Sequence, residues 1–188
     1  MSKERKKGIF LFGNKIVNRY GQVWIETVIY TLIAIVIIGL VLAFVQPKVL
    51  ELSDKATVQQ SLSMMSEIDN VIQTLSQSGT GNTRKIEINL KSGSLEIDGI
   101  NDQIVLTMER SHYQLSEPDT PVNYGSIKVY THAVNDLNTI NMTLAYPQYN
   151  LTYGKADAIQ TITQSSTPYN LFVTNNGGSK INLDFVLG

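Results

Sequence analysis

A run of 21 residues without a charged side chain, residues 27–47, constrains this chain more than any other feature. At a rise of about 1.5 Å per residue, a helix of this length is about 30 Å long, which matches the hydrocarbon thickness of a bilayer. Glu26 immediately precedes the run, and Pro47 ends it. The sequence therefore predicts an apolar helix over residues 22–47 that is covered by lipid or by other helices.

The end of this run argues against a cleaved secretory signal. Such a signal has an apolar region of about 7–15 residues followed by a cleavage site with small residues. Here the run is longer and ends in the sequence FVQPK, residues 44–48, which contains no such site. The apolar segment is therefore expected to stay on the protein, and a plain membrane anchor is the simplest interpretation of its composition.

Charged residues are distributed unevenly along the chain. Residues 1–21 carry six bases and one acid, a net charge of +5, whereas residues 22–188 carry nine bases and fifteen acids, a net charge of −6. Because basic residues flanking a transmembrane helix stay in the cytoplasm, residues after 47 are expected outside. The acidic remainder argues against nucleic acid as a partner. The chain has no cysteine, so an external domain must fold without disulfides.

The residues before the apolar run follow a specific pattern. Gly21 is followed by Gln22, and Glu26 stands at the fifth position after the glycine. With the basic leader and the intact apolar helix, residues 15–46 resemble the class III signal peptide of type IV pilins, in particular the archaeal type. The resemblance implies cleavage between Gly21 and Gln22 by prepilin peptidase. It also implies that Glu26 pairs with the new N-terminal amine, often that of a neighbouring subunit.

An amphipathic helix is predicted over residues 48–78, directly after the apolar run. Apolar residues recur there at spacings of three and four, with polar residues between them. Pro47 removes one backbone donor, which kinks a helix without necessarily ending it, and the first break in the pattern is the sequence SGTGN at residues 78–82. The predicted core-facing residues are Val58, Leu62, Met65, Ile68, Ile72 and Leu75.

Residues 84–188 are predicted to form an extracellular β domain. Apolar and polar residues alternate in eight or nine short segments separated by turn residues, including a short strand at 112–116, a loop at 117–125 and a closing hairpin around 175–178. This pattern indicates an antiparallel sheet or sandwich. The fold class is therefore α+β, with the second half of a long N-terminal helix packed on the sheet. By resemblance this is the pilin architecture.

The sequence contains no known motif for catalysis or for a cofactor. His112 and His132 have no ligand partner at motif spacing, and surface or structural roles are favoured for both. Asp98, Asp102 and Glu109 form a loose acidic group, which is interpreted as a solvated loop, with a calcium site as the alternative. Two sequons begin at Asn141 and Asn150, and on an external domain each is a candidate for N-glycosylation. We expect no enzyme activity and no cofactor.

The favoured function is that of a structural subunit of a type IV pilus-like surface filament. The family implies as partners further copies of the chain, prepilin peptidase, an assembly ATPase and a membrane platform protein. Before assembly the apolar helix would lie in membrane lipid. Two alternatives stay open: a monomeric surface-binding protein or adhesin on an uncleaved signal anchor, and a minor pilin or pseudopilin that caps or primes a filament.

Overall fold

The computed structural model describes the backbone of residues 19–188 and the side chains of residues 23–188. The protein divides into two compact units, Met1–Gln46 and Pro47–Gly188. Residues 1–18 of the predicted leader lie outside the described residues. Residues 19–188 contain one helix and ten strands, so the class is α+β as predicted.

Helix α1 spans Arg19–Ser76. It contains Pro47, so the proline does not end the helix, in agreement with the prediction. In the second unit, one face of α1 is fully buried from Val58 onwards and belongs to the main core. The predicted core-facing residues are confirmed there, with Leu62 half-buried at the margin of the core.

Ten strands form the rest of the second unit. Their bounds are β1 Thr83–Ile88, β2 Ser94–Asp98, β3 Gln103–Ser111, β4 Val122–Tyr124, β5 Ile127–Val134, β6 Leu137–Ala145, β7 Asn150–Tyr153, β8 Ile159–Thr163, β9 Tyr169–Gly177 and β10 Asn182–Leu187.

The strands form two sheets that share one hydrophobic core with the buried face of α1. The four-stranded sheet has the order β1-β9-β10-β7, and the six-stranded sheet has the order β4-β5-β6-β3-β2-β8. All strand pairs are antiparallel apart from β7 and β10, which pair in parallel. Both sheets are therefore mainly antiparallel, as predicted, and the parallel pair in the four-stranded sheet was not predicted.

Two local predictions between β3 and β5 are wrong. Residues 112–116 form bends rather than a strand, because side chains satisfy their backbone: the Ser111 hydroxyl bonds both Tyr113 N and Tyr113 O, and Asp54 accepts a hydrogen bond from His112 N. In turn, the predicted loop at 117–125 contains β4. This exposed three-residue edge strand pairs only with β5.

The C-terminus of α1 is held by a residue of β9. Asn175, 2% exposed, donates hydrogen bonds through Nδ2 to Leu75 O at 2.8 Å and to Ser78 O at 3.0 Å. Its Oδ1 accepts a hydrogen bond from Gly177 N at 2.8 Å. The last carbonyls of a helix have no partner within the helix, and this amide caps them together with the backbone hydrogen bond from Ser78 N to Leu75 O at 3.0 Å.

Farther from its end, α1 is joined to the six-stranded sheet through the carboxylate of Asp69. Tyr146, 2% exposed, donates its hydroxyl to Asp69 Oδ1 at 2.9 Å, and Ser126 Oγ donates to Asp69 Oδ2 at 2.6 Å. Burial, with the charge and the hydrogen bond of Asp69 adding to it, raises the pKa of Tyr146 far above its ordinary value. The tyrosine therefore keeps its proton at neutral pH and donates it in the hydrogen bond to Asp69.

Removing this hydroxyl is expected to lower the stability of the second unit. Tyr146→Phe should reduce the free energy of unfolding by about 2 kcal/mol, the usual worth of a hydrogen bond to a charged group. Tyr149→Phe is the matched control, because Tyr149 stacks on Tyr146 at a centroid distance of 6.2 Å and its hydroxyl makes no hydrogen bond to any residue the structure describes. Denaturant unfolding of the full chain in detergent micelles measures both changes. Equal losses in the two variants would contradict the role of the Asp69 contact.

Candidate functional site

The apolar part of α1 is uncovered along its whole described length. Every side chain from residue 23 to residue 50 is exposed, including Trp24 at 71% and Phe44 at 79%. This helix is long and apolar enough to cross a membrane, and no residue of its most apolar window is buried by the rest of the chain. Length and composition make it compatible with a membrane anchor or with a signal helix near the N-terminus.

The polar side chains at the start of this helix differ in how they are satisfied. The hydroxyl of Thr27 donates to Val23 O at 2.9 Å, and that of Thr31 donates to Thr27 O at 2.8 Å. Both hydroxyls are thus satisfied within the helix and tolerate an apolar environment. Glu26 is exposed and has no hydrogen-bond or ion-pair partner within the described part of the chain. Its carboxylate is the group whose burial requires a partner from elsewhere.

The predicted cleavage residues Gly21 and Gln22 lie in the first turn of α1, which begins at Arg19. Glu26 follows Gln22 by four residues, which is one helical turn and places both positions on the same side of α1. Residue 22 and Glu26 therefore lie one turn apart on the described helix, and pairing of Glu26 with an amine at residue 22 stays a prediction.

The two sequons lie in strands. Asn141 is half-buried on β6, opposite Thr107 of β3 and Tyr130 of β5, on the face of the six-stranded sheet away from the core residues Ile140 and Met142. A glycan at this position would project from the sheet face.

The second sequon is enclosed to a greater degree. Asn150 is half-buried at the start of β7, and Thr152 of the same sequon is 4% exposed and hydrogen-bonded to Asp184 at 2.8 Å. Attachment of a glycan to Asn150 would have to precede folding of this strand. Glycosylation at both positions stays a prediction.

Each histidine lies at the surface beside one carboxylate. His112 Nδ1 is 2.8 Å from Asp54 Oδ2, and His132 Nδ1 is 2.7 Å from Asp119 Oδ1. Hydrogen bonds from His132 and Tyr130 hold the pKa of Asp119 below its ordinary value. Among the residues that the structure describes, no group of three or more His, Asp and Glu side chains is arranged to hold a metal ion.

The interpretation of the acidic group as a solvated loop is wrong for Asp98. This side chain is 3% exposed and accepts hydrogen bonds from Asn101, from Gln103 and from the backbone of Ile100. Burial raises the pKa of Asp98, but these hydrogen bonds outweigh it and the net pKa is lowered. Asp102 instead forms an ion pair with Lys180 at 2.6 Å. Asp98 and Asp102 therefore hold separate parts of the structure in place, whereas Glu109 is exposed to solvent.

Comparisons with known proteins assign no family to this chain. No protein-family model matches it, no curated protein is significantly similar to its sequence, and no solved structure is significantly similar to its fold.

Proposed function

We propose that this protein is a structural subunit of a type IV pilus-like surface filament. Prepilin peptidase cuts between Gly21 and Gln22. The helix that begins at Gln22 then lies in the membrane until copies of the chain assemble through it. An assembly ATPase and a membrane platform protein drive the extraction, as the resemblance to pilins implies.

The observation that carries the proposal is the contrast between the two units. The second unit has a complete core of its own, built from both sheets and from α1 beyond Val58. The first unit has no buried side chain over residues 23–46, although nearly all of them are apolar. A helix that is apolar all round and uncovered by its own chain requires a partner, either lipid or other apolar helices.

The same surface suits both environments in turn. Lipid covers residues 27–47 before assembly, since this run matches the thickness of the bilayer. Helices of neighbouring copies cover it afterwards, and heterologous contacts between identical subunits generate an open helical filament. Apolar contacts alone leave the axial register of such helices undetermined, and the charge of Glu26 supplies a specific contact that fixes it.

The position of the mature N-terminus tests this proposal. Mass spectrometry of shed filaments is expected to find subunits that begin at Gln22 and lack residues 1–21. Gly21→Phe should leave the full-length precursor in the membrane and no filaments, because a bulky side chain obstructs the approach of the protease to the backbone. Gly13→Phe, a matched change at another glycine of the leader, should be processed normally.

Filaments whose subunits retain the leader would contradict the proposal. A protein that stays in the membrane as a full-length monomer in the unmodified cell would favour the surface-binding protein on an uncleaved anchor.

A further inference from the structure

A polar cleft lies where the chain crosses between the two sheets. It comprises an open depression of about 490 Å³ and a second of about 360 Å³, which share Gln164, and a smaller one of about 80 Å³ that shares Lys91 and Arg110 with them. Its walls are the β1–β2 connection at 89–93 with the first residue of β2, the end of β3, and residues 164–166 of the β8–β9 connection. We call this feature the crossover cleft.

The two larger parts of the crossover cleft are lined by residues with polar side chains and by one glycine. Asn89 and Gln164 contribute primary amides, and Ser165, Ser166 and Thr107 contribute hydroxyls. Amides and hydroxyls both donate and accept hydrogen bonds, which is the property that recognises a ligand rich in hydroxyl groups.

The two larger depressions of the cleft are lined by two bases and one acid. Lys91 and Arg110 are exposed, and neither makes an ion pair or a side-chain hydrogen bond with any residue from 23 to 188. Glu109 is the single acid of the two larger depressions. Asp54, which borders the smallest, already accepts two hydrogen bonds from His112. Both bases belong to residues 22–188, a segment whose net charge is −6.

The backbone around the cleft is fixed in unusual conformations. The register between β3 and β6 shifts after Met108, and Arg110 in this bulge has a φ of 60°. Bulges redirect side chains, and a non-glycine residue with positive φ is a strained arrangement that concentrates at functional sites. Gly93 has a φ of 83° and lies so close to Thr107 that a Cβ would meet its carbonyl oxygen.

The two crossing connections are also joined directly, by a hydrogen bond from Ser165 N to Leu90 O at 3.1 Å. The backbone itself therefore holds the two connections that form the cleft next to each other.

We propose that the crossover cleft binds a saccharide that carries an anionic group, of the uronic acid class. The guanidinium of Arg110 and the ammonium of Lys91 would pair with the carboxylate, and the amides and hydroxyls would bind the ring hydroxyls. The lining offers no aromatic ring for stacking, so a single site binds weakly. If the chain forms filaments, as proposed above, repetition of the site along the polymer multiplies its avidity.

Titration of the full chain in detergent micelles tests this inference on the unassembled protein. The probes are trigalacturonate, the neutral trisaccharide maltotriose and inorganic phosphate, and isothermal titration calorimetry provides the readout. We expect saturable binding of trigalacturonate with a Kd on the order of 1 mM, and binding of maltotriose weaker by about tenfold or more, the usual effect of losing one charged contact.

Lys91→Ala combined with Arg110→Gly should weaken binding of trigalacturonate by more than about tenfold. Glycine tolerates the positive φ at residue 110, so the thermal midpoint should stay unchanged and a loss of binding cannot be attributed to misfolding. Lys85→Ala combined with Lys128→Ala removes two exposed lysines from strands outside the cleft and should leave binding intact.

Three results would overturn the inference: no saturable binding of trigalacturonate, an equal loss in the Lys85 and Lys128 control, or binding of phosphate as tight as that of trigalacturonate. The last result would identify a site for any small anion. None of these results depends on filament formation, so failure of the cleft proposal and failure of the proposed function are distinguishable.

Discussion

Replacement of Glu26 by glutamine is expected to abolish filaments while membrane insertion and leader cleavage proceed normally. Glu26→Gln retains the shape of the side chain and removes its charge, so it isolates the electrostatic contribution. In the proposed filament the carboxylate and the N-terminal ammonium of Gln22 are buried together, and removal of one partner of such a pair typically costs about 3–5 kcal/mol. Repeated at every subunit, a penalty of this size prevents polymerisation.

Counts of filaments by electron microscopy, with immunoblots for the membrane-inserted and cleaved protein, measure this effect. Glu67→Gln is the matched control, because it removes the same charge from an exposed position on the same helix beyond the apolar run. Wild-type numbers of filaments from Glu26→Gln would show that the carboxylate has no role in assembly, and would remove one of the three residues, with Gly21 and Gln22, that carry the resemblance to pilins.

Among the substitutions considered, Asn175→Asp is expected to reduce the free energy of unfolding the most. Asn175→Asp replaces the buried amide donor by a carboxylate that faces the carbonyl oxygens of Leu75 and Ser78. At pH 7 this should reduce the free energy of unfolding by about 3–5 kcal/mol, the cost of an uncompensated buried charge. Asn176→Asp is the matched control, because Asn176 is exposed and its amide bonds only the side chain of Asn182.

The pH dependence of this loss separates the charge from the change of shape. The introduced carboxyl is favoured in its protonated form in the folded state, so its folded pKa is raised above its unfolded value of about 3.9. The unfolded state therefore gains stability from ionisation as the pH rises above about 4, and the deficit of Asn175→Asp should shrink when the pH is lowered towards that value. A deficit independent of pH would contradict the electrostatic explanation.

Helix α1 and most strands were predictable because their sequences repeat with a clear period. The spacing of Val58, Met65, Ile72 and Leu75 identifies a helix face that buries its apolar side chains, and the alternation from Ile140 to Leu144 identifies a strand. The errors lie where the period is absent. β4 has three exposed residues with no alternation, and residues 112–116 contain strand-forming side chains whose backbone is bonded by Ser111 and Asp54 instead.

Of the two candidate sites, one could be predicted from the sequence and the other could not. Gly21, Gln22 and Glu26 are adjacent in the sequence, so their pattern is visible without a structure. Lys91 of the β1–β2 connection and Arg110 of the β3 bulge are brought to one cleft by the pairing of β-strands. They are 19 positions apart in the sequence, and no short sequence motif links them. The positive φ of Arg110 also has no sequence signature, because arginine is not a residue that favours this conformation.

The cap on α1 has a consequence for the order of events during synthesis. Asn175 lies 100 positions after Leu75, and β1 completes its sheet only with β9, as Thr83 pairs with Thr174. The ribosome therefore synthesises well over a hundred residues between the apolar helix and Asn175, which holds the end of α1. Insertion into the membrane is therefore expected to precede closure of the β domain. During this interval β1 remains an unpaired strand, and the domain acquires its native topology only when β9 and β10, within residues 169–188, have been synthesised.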